Sequence, residues 1–231
     1  MTTDFISCPL TAKEKIYGLV WLMFEVLFFP VLLELFNGLL PTPLPQVEVN
    51  FIFFAVNFIA IAWVFRRYLK AQLRLVPELI DKILLVAAPG FLIYRLLNFL
   101  LALALFAVDP DFVSINDMTI QSLAQENYFL MLIGSVILVP IAEECLFRGL
   151  LFRGMYDHNP LLAWIVSILL FSAIHVTGYI GQYSLPTILL CFVQYLPAGA
   201  CLAGAYRLSG SLLSPILIHA LVNFAGMLAL R

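Results

Sequence analysis

The sequence predicts an all-α fold, a polytopic transmembrane helical bundle of about seven spans with room for an eighth. Three observations carry that prediction. Hydrophobic residues fill 63% of the 231 positions and charged residues only 11%, where a soluble chain carries roughly a quarter. The mean hydropathy is +1.04. The apolar residues also gather into runs long enough to cross a hydrocarbon core, which takes about 20 residues.

In order, the runs are roughly 16–36, 49–69, 82–107, 128–155, 161–179, 185–207 and 211–230. No soluble domain stands beside them, so residues 1–231 read as a single membrane-embedded domain. The first run lacks a small-residue cleavage site after a short apolar core, and reads as a retained helix rather than a signal peptide. Connections 37–48, 108–127 and 177–184 hold no Lys or Arg. The alternate connections hold Arg66, Arg67, Lys70, Arg74 and Lys82, then Arg153, then Arg207, and Lys13 and Lys15 precede the first run. Basic residues favour the cytoplasmic face, which places the N-terminus inside and the C-terminus outside.

Three stretches between or within the runs carry expectations of their own. Arg66–Lys82 mixes basic residues with leucines around Pro77, and predicts a broken amphipathic segment in the membrane interface. Residues 109–126, with Asp109, Asp111, Asp117 and Glu126, predict a solvated outer loop. The small residues from Ala198 to Ala205 predict a close approach of two helix backbones. The net charge of −2 gives no reason to expect a nucleic-acid partner. Cys8, Cys145, Cys191 and Cys201 show neither metal nor disulfide spacing and read as small hydrophobes.

Against this background the decapeptide from Pro140 to Gly149 stands apart. Glu143, Glu144 and Arg148 lie inside the fourth run, where an ionised side chain costs a few kcal/mol or more and marks function. Phe171 and His175 form a second pair, and His219 and Asn223 a third. Members four apart share a helix face. At about 1.5 Å per residue, Glu143 and His175 each fall about 21 Å from the cytoplasmic ends of their runs, and His219 and Asn223 about 12 and 18 Å. All four can meet in one buried polar cavity.

That set suits water activation for hydrolysis. A carboxylate in a low-dielectric site is a usable general base near neutral pH, and a histidine beside it can share the water. A second histidine and an amide are suitable donors to a tetrahedral oxyanion. Glu144 and Arg148 stand in the favourable order for an ion pair, which leaves Glu143 free to act. Glu143, His175 and His219 are equally a two-histidine, one-carboxylate set of the kind that holds a catalytic divalent metal such as zinc. Spacing does not choose between the two, although the absence of HExxH favours water activation without metal. Singly, each residue has a plainer reading: a hydrogen-bonded core histidine, or a structural ion pair of the glutamates with Arg148 or Arg95. A proton- or ion-coupled transporter is the rival from another class, and the absence of internal repeats weighs against it. There is no GxSG serine motif, and Tyr156-Asp157 is followed by no GxGD.

Pro140 removes one backbone donor, and the carbonyl near Val136 then needs another partner, such as water. Glu25, Arg95 and Asn98 also fall within apolar runs. The simplest reading is a buried Glu25–Arg95 pair; the alternative is that Arg95 receives a substrate carboxylate.

Glu143-Glu144-Cys145-Leu146-Phe147-Arg148, Phe171 to His175, and His219 to Asn223 together resemble, in order, the EExxxR, FxxxH and HxxxN pattern of the CAAX prenyl protease and bacteriocin-processing (CPBP, ABI) family of intramembrane proteases. The resemblance covers roughly residues 128–226, and the first three runs carry no motif. It implies an endopeptidase acting near the C-terminus of membrane-associated or lipidated peptides. Glu143 would be the base and His175 its assistant, His219 and Asn223 water or oxyanion partners, with Glu144, Arg148 and Phe171 in support. The family has been classed both as metalloprotease and as glutamate-dependent, so both mechanisms stay open. Eukaryotic relatives trim three residues after a prenylated cysteine. Bacterial relatives are linked to peptide maturation, bacteriocin self-immunity and removal of C-terminal sorting segments, and a catalytically silent immunity protein is a further alternative. The short chain favours a bacterial plasma-membrane enzyme whose partners are the lipid bilayer and a membrane peptide or lipoprotein substrate.

Overall fold

A computed structural model describes residues 10–230. Among them there is no β-strand. Helix α1 (Ala12–Leu27) begins at Thr11, whose Oγ1 accepts the Glu14 N–H at 3.2 Å while the Glu14 carboxylate accepts the Thr11 N–H at 2.7 Å. This reciprocal pair satisfies two donors that a helix start leaves open. At Phe28 the chain turns by 49° into α2 (Phe29–Gly38). Pro30 stands in the first turn of α2, where its missing N–H does no harm.

Then follow α3 (Gln46–Val64), α4 (Arg66–Val108), α5 (Ile115–Glu126), α6 (Tyr128–Tyr156), α7 (Pro160–Thr177), α8 (Leu185–Ser209) and α9 (Leu213–Ala229). The seven expected runs map onto α1 with α2, α3, the C-terminal part of α4, α6, α7, α8 and α9. Five helices are long and apolar enough to cross a membrane, or six with the bent α1–α2 pair counted as one. The helix that matches the last expected run, α9, has 17 residues, the short end of the spanning range. Large side chains face outward, among them Leu85, Trp63 and Phe129 at 75, 63 and 72% exposure. Lipid is the solvent that makes such a surface stable, and the fold is that of an all-α integral membrane protein.

Two expectations are corrected. Arg66–Lys82 is not broken at Pro77 but runs unbroken into α4, a helix of 43 residues. At about 65 Å it is twice as long as a hydrocarbon core is thick. Each internal proline removes only one donor. Meanwhile Tyr68, Gln72, Leu79, Ile83 and Ala87 recur at helical spacing and bury one continuous stripe. Two polar members of that stripe reach the C-terminal helices. Gln72 Oε1 accepts the Leu212 N–H at 2.9 Å, and the Tyr68 and Tyr206 hydroxyls meet at 3.0 Å.

The second correction concerns residues 109–126. Ser114 caps α5 by accepting the Asp117 N–H at 3.3 Å, and Ile115, Leu123 and Ala124 are buried. Five bonds tie this helix across the bundle: Asn116 Nδ2 to the Tyr195 hydroxyl at 2.8 Å, Gln194 Nε2 to Asp117 Oδ2 at 3.2 Å, the Tyr179 hydroxyl to Thr119 Oγ1 at 3.1 Å and to Asn116 Oδ1 at 3.5 Å, and the Val47 N–H to Glu126 Oε2 at 3.2 Å. Asp117 and Glu126 thus sit on a docked helix, and only Asp109 and Asp111 lie in the short connection before it.

The core lies where α4, α6 and α8 meet, with Tyr68, Phe147, Phe152 and Tyr206 fully buried. The small residues of α8 do what their spacing predicted. A Cβ at Gly199 would stand 3.1 Å from the Ile168 Cα and 3.2 Å from its carbonyl oxygen, so α7 and α8 touch backbone to backbone there. Cys145, Cys191 and Cys201 are free thiols; Cys8 lies outside the described residues.

Candidate active site

The site begins with the backbone of α6. Gly134–Leu138 and Cys145–Phe152 are π-helical and flank an α-helical piece, Val139–Glu144, that carries both glutamates. Such wide turns recur at functional sites. Their register explains Pro140. The Val139 N–H bonds to Gly134 O, an i→i−5 step, so the next donor in register would be residue 140, reaching back to Ser135. Proline has no N–H to give. Ser135 O instead accepts the Asn223 Nδ2 donor at 2.7 Å. The carbonyl affected is therefore that of Ser135, not Val136, and its partner is a side chain of α9.

Glu144 and Arg148 are sealed from solvent, both at 0% side-chain exposure, and pair at 3.0 Å as the i,i+4 spacing predicted. Glu144 Oε1 also accepts from His219 Nδ1 at 2.9 Å. Arg148 Nη2 donates to Gly199 O at 3.2 Å, and its guanidinium lies 4.3 Å over the Phe171 ring. The close approach of α7 and α8 thus supplies a carbonyl to one edge of the cation and an aromatic face to its plane. Removing either charge of such a buried pair strands the other, at a cost of about 3–5 kcal/mol.

Phe171 links the pieces together. Besides Arg148, its ring meets the His219 ring at 5.9 Å and the Phe147 ring at 5.3 Å. Its carbonyl takes His175 Nδ1 at 2.8 Å. A carbonyl only accepts, so His175 carries a proton on Nδ1 and presents Nε2 as the free nitrogen. The His175 ring is also stacked on Tyr195, 4.0 Å away at 21°.

Glu143 has a different situation from its neighbour. It lines a cavity of about 620 Å³ that Glu144 does not reach. Its Oε2 stands 4.0 Å from His219 Nε2 and takes no hydrogen bond among the described residues. His175, His219, Asn223 and Phe171 line the same cavity, so the four expected reactive side chains and one supporting residue share it. Among the described residues no group of three or more His, Cys, Asp and Glu side chains is placed to hold a metal ion.

The expected Glu25–Arg95 pair does not form. Glu25 is buried beside Trp21 and Asn57, which bond to each other at 2.7 Å, and lies within electrostatic reach of Glu143. Arg95 is exposed and lines the cavity. Sequence reasoning passed over Ser135 and Tyr195, and read Gly199 as packing alone. Only Ser135 left a signal, five residues ahead of a proline.

Fold and site define a class, an integral membrane protein that gathers a carboxylate, two imidazoles and an amide around a cavity between its helices. Residues 125–225 match the family model described as Rce1-like, type II CAAX prenyl endopeptidase. This is the family the three motifs resemble, over nearly the stretch where they lie, and it supports a CAAX-type intramembrane endopeptidase in general terms. No curated protein and no solved structure matches the chain.

Proposed function

We propose that the protein hydrolyses peptide bonds near the C-terminus of membrane-associated peptides, with Glu143 as the base that activates water. One observation carries the reading. Of two adjacent carboxylates, Glu144 is tied through Oε1 to Arg148 and His219 and stays out of the cavity lining, while Glu143 lines the cavity and takes no hydrogen bond among the described residues. A water held between Glu143 and His175 Nε2 is placed to attack a substrate carbonyl. Glu143 takes one proton as the new C–O bond forms. The oxyanion would receive His219 Nε2, in its doubly protonated form, and the second N–H of Asn223, whose first is spent on Ser135 O. Collapse of the tetrahedral species breaks the C–N bond as Glu143 passes its proton to the leaving amine. Donors aimed at the developing charge in a dry site supply much of the rate, and Glu144 with Arg148 fixes the His219 ring that would provide one of them.

The outward apolar surface and the aromatic lining from Phe53, Phe54 and Phe171 favour a substrate delivered from the membrane, prenylated or simply hydrophobic. The charge of the connections favours an N-terminus inside and a C-terminus outside. The deciding experiment compares membrane-protein C-termini by mass spectrometry in cells carrying wild type or Glu143→Gln. Shortened C-termini should appear with wild type alone. Identical C-termini in both, accompanied by a proton-driven flux in vesicles, would transfer the site to a transporter.

A further inference from the structure

Arg95 is left over once the reactive groups are assigned, and its position is specific. It stands 13 residues before the end of α4 at Val108, while Glu143 stands 15 residues after the start of α6 at Tyr128. Those two ends are joined through α5, so both residues lie about 20 Å in from the same end of the bundle. That is too deep for an arginine to snorkel to the headgroups. Arg95 is the sole Arg or Lys among the residues that line the cavity, whose acidic members are Glu34, Asp117 and Glu143. None of these acids pairs with Arg95: Glu34 accepts from Gln46 at 2.6 Å, Asp117 from Gln194 at 3.2 Å, and Glu143 stands 4.0 Å from His219. Arg95 itself makes no hydrogen bond or ion pair among the described residues.

A guanidinium within a span is costly without a counter-charge, and its planar fork of donors matches a carboxylate in two-point fashion. An apolar peptide drawn from the membrane has one anion it cannot avoid, its terminal carboxylate. Asn98, one turn further along α4 on the same cavity wall, adds an amide donor. We infer that Arg95 and Asn98 form a carboxylate-binding subsite that holds the free C-terminus of the peptide while its scissile bond lies at Glu143. This rests on the peptidase reading, and it explains how such an enzyme would measure a short distance from the chain end. It also fixes the direction of the substrate, with the carboxyl end toward α4.

The test uses matched synthetic apolar peptides, S-farnesylated and unmodified, each made with a free C-terminal carboxylate and with a C-terminal amide. In detergent micelles the wild-type protein should cleave the acid form with kcat/KM about ten- to a hundredfold above the amide. Arg95→Gln should bring the acid form down to the amide's level, and Arg95→Lys should restore part of the gap. Equal cleavage of acid and amide by wild type, or an equal fall for both in Arg95→Gln, overturns the subsite. Binding of fluorescent acid and amide peptides to Glu143→Gln, with and without Arg95→Gln, needs no turnover. A preference for the acid that Arg95→Gln removes upholds the subsite even where no peptide is cut, and no preference refutes it even where cleavage is seen. A gap that anionic lipid abolishes would reassign Arg95 to a lipid phosphate.

Discussion

The cavity has two walls, and they are built differently. On the wall made by α6, α7 and α9, most polar groups are committed: Glu144 to Arg148 and His219, Arg148 to Gly199 and Phe171, His175 to the Phe171 carbonyl, Asn223 to Ser135. On the wall made by α3, α4 and α5, Asn116, Asp117 and Thr119 are bonded, but Asn50, Asn98 and Arg95 keep their bonding capacity unspent among the described residues. The difference divides labour in physical terms. Groups that handle protons must be held to a fraction of an ångström, and packing plus a second set of hydrogen bonds does that. Groups that receive a substrate must keep unspent bonding capacity, because binding draws on what the protein has not already satisfied.

The largest expected effect breaks the committed wall. Glu144→Gln leaves the Arg148 guanidinium buried without a counter-charge and should cost about 3–5 kcal/mol of stability, read as a lowered unfolding midpoint in detergent. Combining it with Arg148→Met should recover much of that loss, because no stranded charge remains. Glu143→Gln, one residue away on the cavity surface, should lower cleavage about 10²–10⁴-fold while the unfolding midpoint stays near that of wild type. Equal destabilisation by Glu143→Gln and Glu144→Gln would erase the distinction between the two carboxylates.

A smaller effect sharpens the comparison at Ser135. Asn223→Ala leaves a buried carbonyl without its donor and should cost about 1–3 kcal/mol. Pro140→Ala supplies the N–H that the wide register of α6 calls for. In that background Asn223→Ala should cost distinctly less stability, yet cleavage should stay impaired, since the oxyanion donor is gone in both. A full stability cost for Asn223→Ala with alanine at 140 would mean that Pro140 and Asn223 are not linked through that carbonyl.

What could be read from the sequence follows the range of the interactions. Glu144–Arg148 and Phe171–His175 are contacts within one helix, and their i,i+4 spacing made them legible. His219 against Glu144, 75 positions apart, was visible only as a tendency to share depth. The Asn223–Ser135 bond depends on a register that propensities do not encode, so the freed carbonyl was placed one residue off. Arg66–Lys82 and residues 109–126 misled for opposite reasons. In the first, Pro77 outweighed a buried stripe that holds the helix together. In the second, four acidic residues outweighed the Ser114 cap and the apolar face of Ile115, Leu123 and Ala124. Arg95 was paired with Glu25 because both seemed to need a partner, but α1 turns Glu25 toward Asn57 and Trp21 instead.

The smallest expected effect probes a bond that links α5 to the His175 side of the cavity. Asn116 of α5 donates to the Tyr195 hydroxyl at 2.8 Å, and the Tyr195 ring lies flat on His175 at 4.0 Å. Tyr195→Phe keeps the stacked ring and loses only the hydroxyl's bond, worth about 1 kcal/mol, so cleavage should fall roughly fivefold or less. Asn116→Ala should match it, because the same bond is lost from the other side, and the double variant should add little further. Tyr195→Leu removes the ring itself and should fall further, with kcat affected more than KM, since the ring steadies an imidazole rather than the peptide. Additive losses in the double variant would show that α5 acts on the cavity by some route other than Tyr195. A KM effect as large as the kcat effect would move Tyr195 from steadying His175 to contacting substrate.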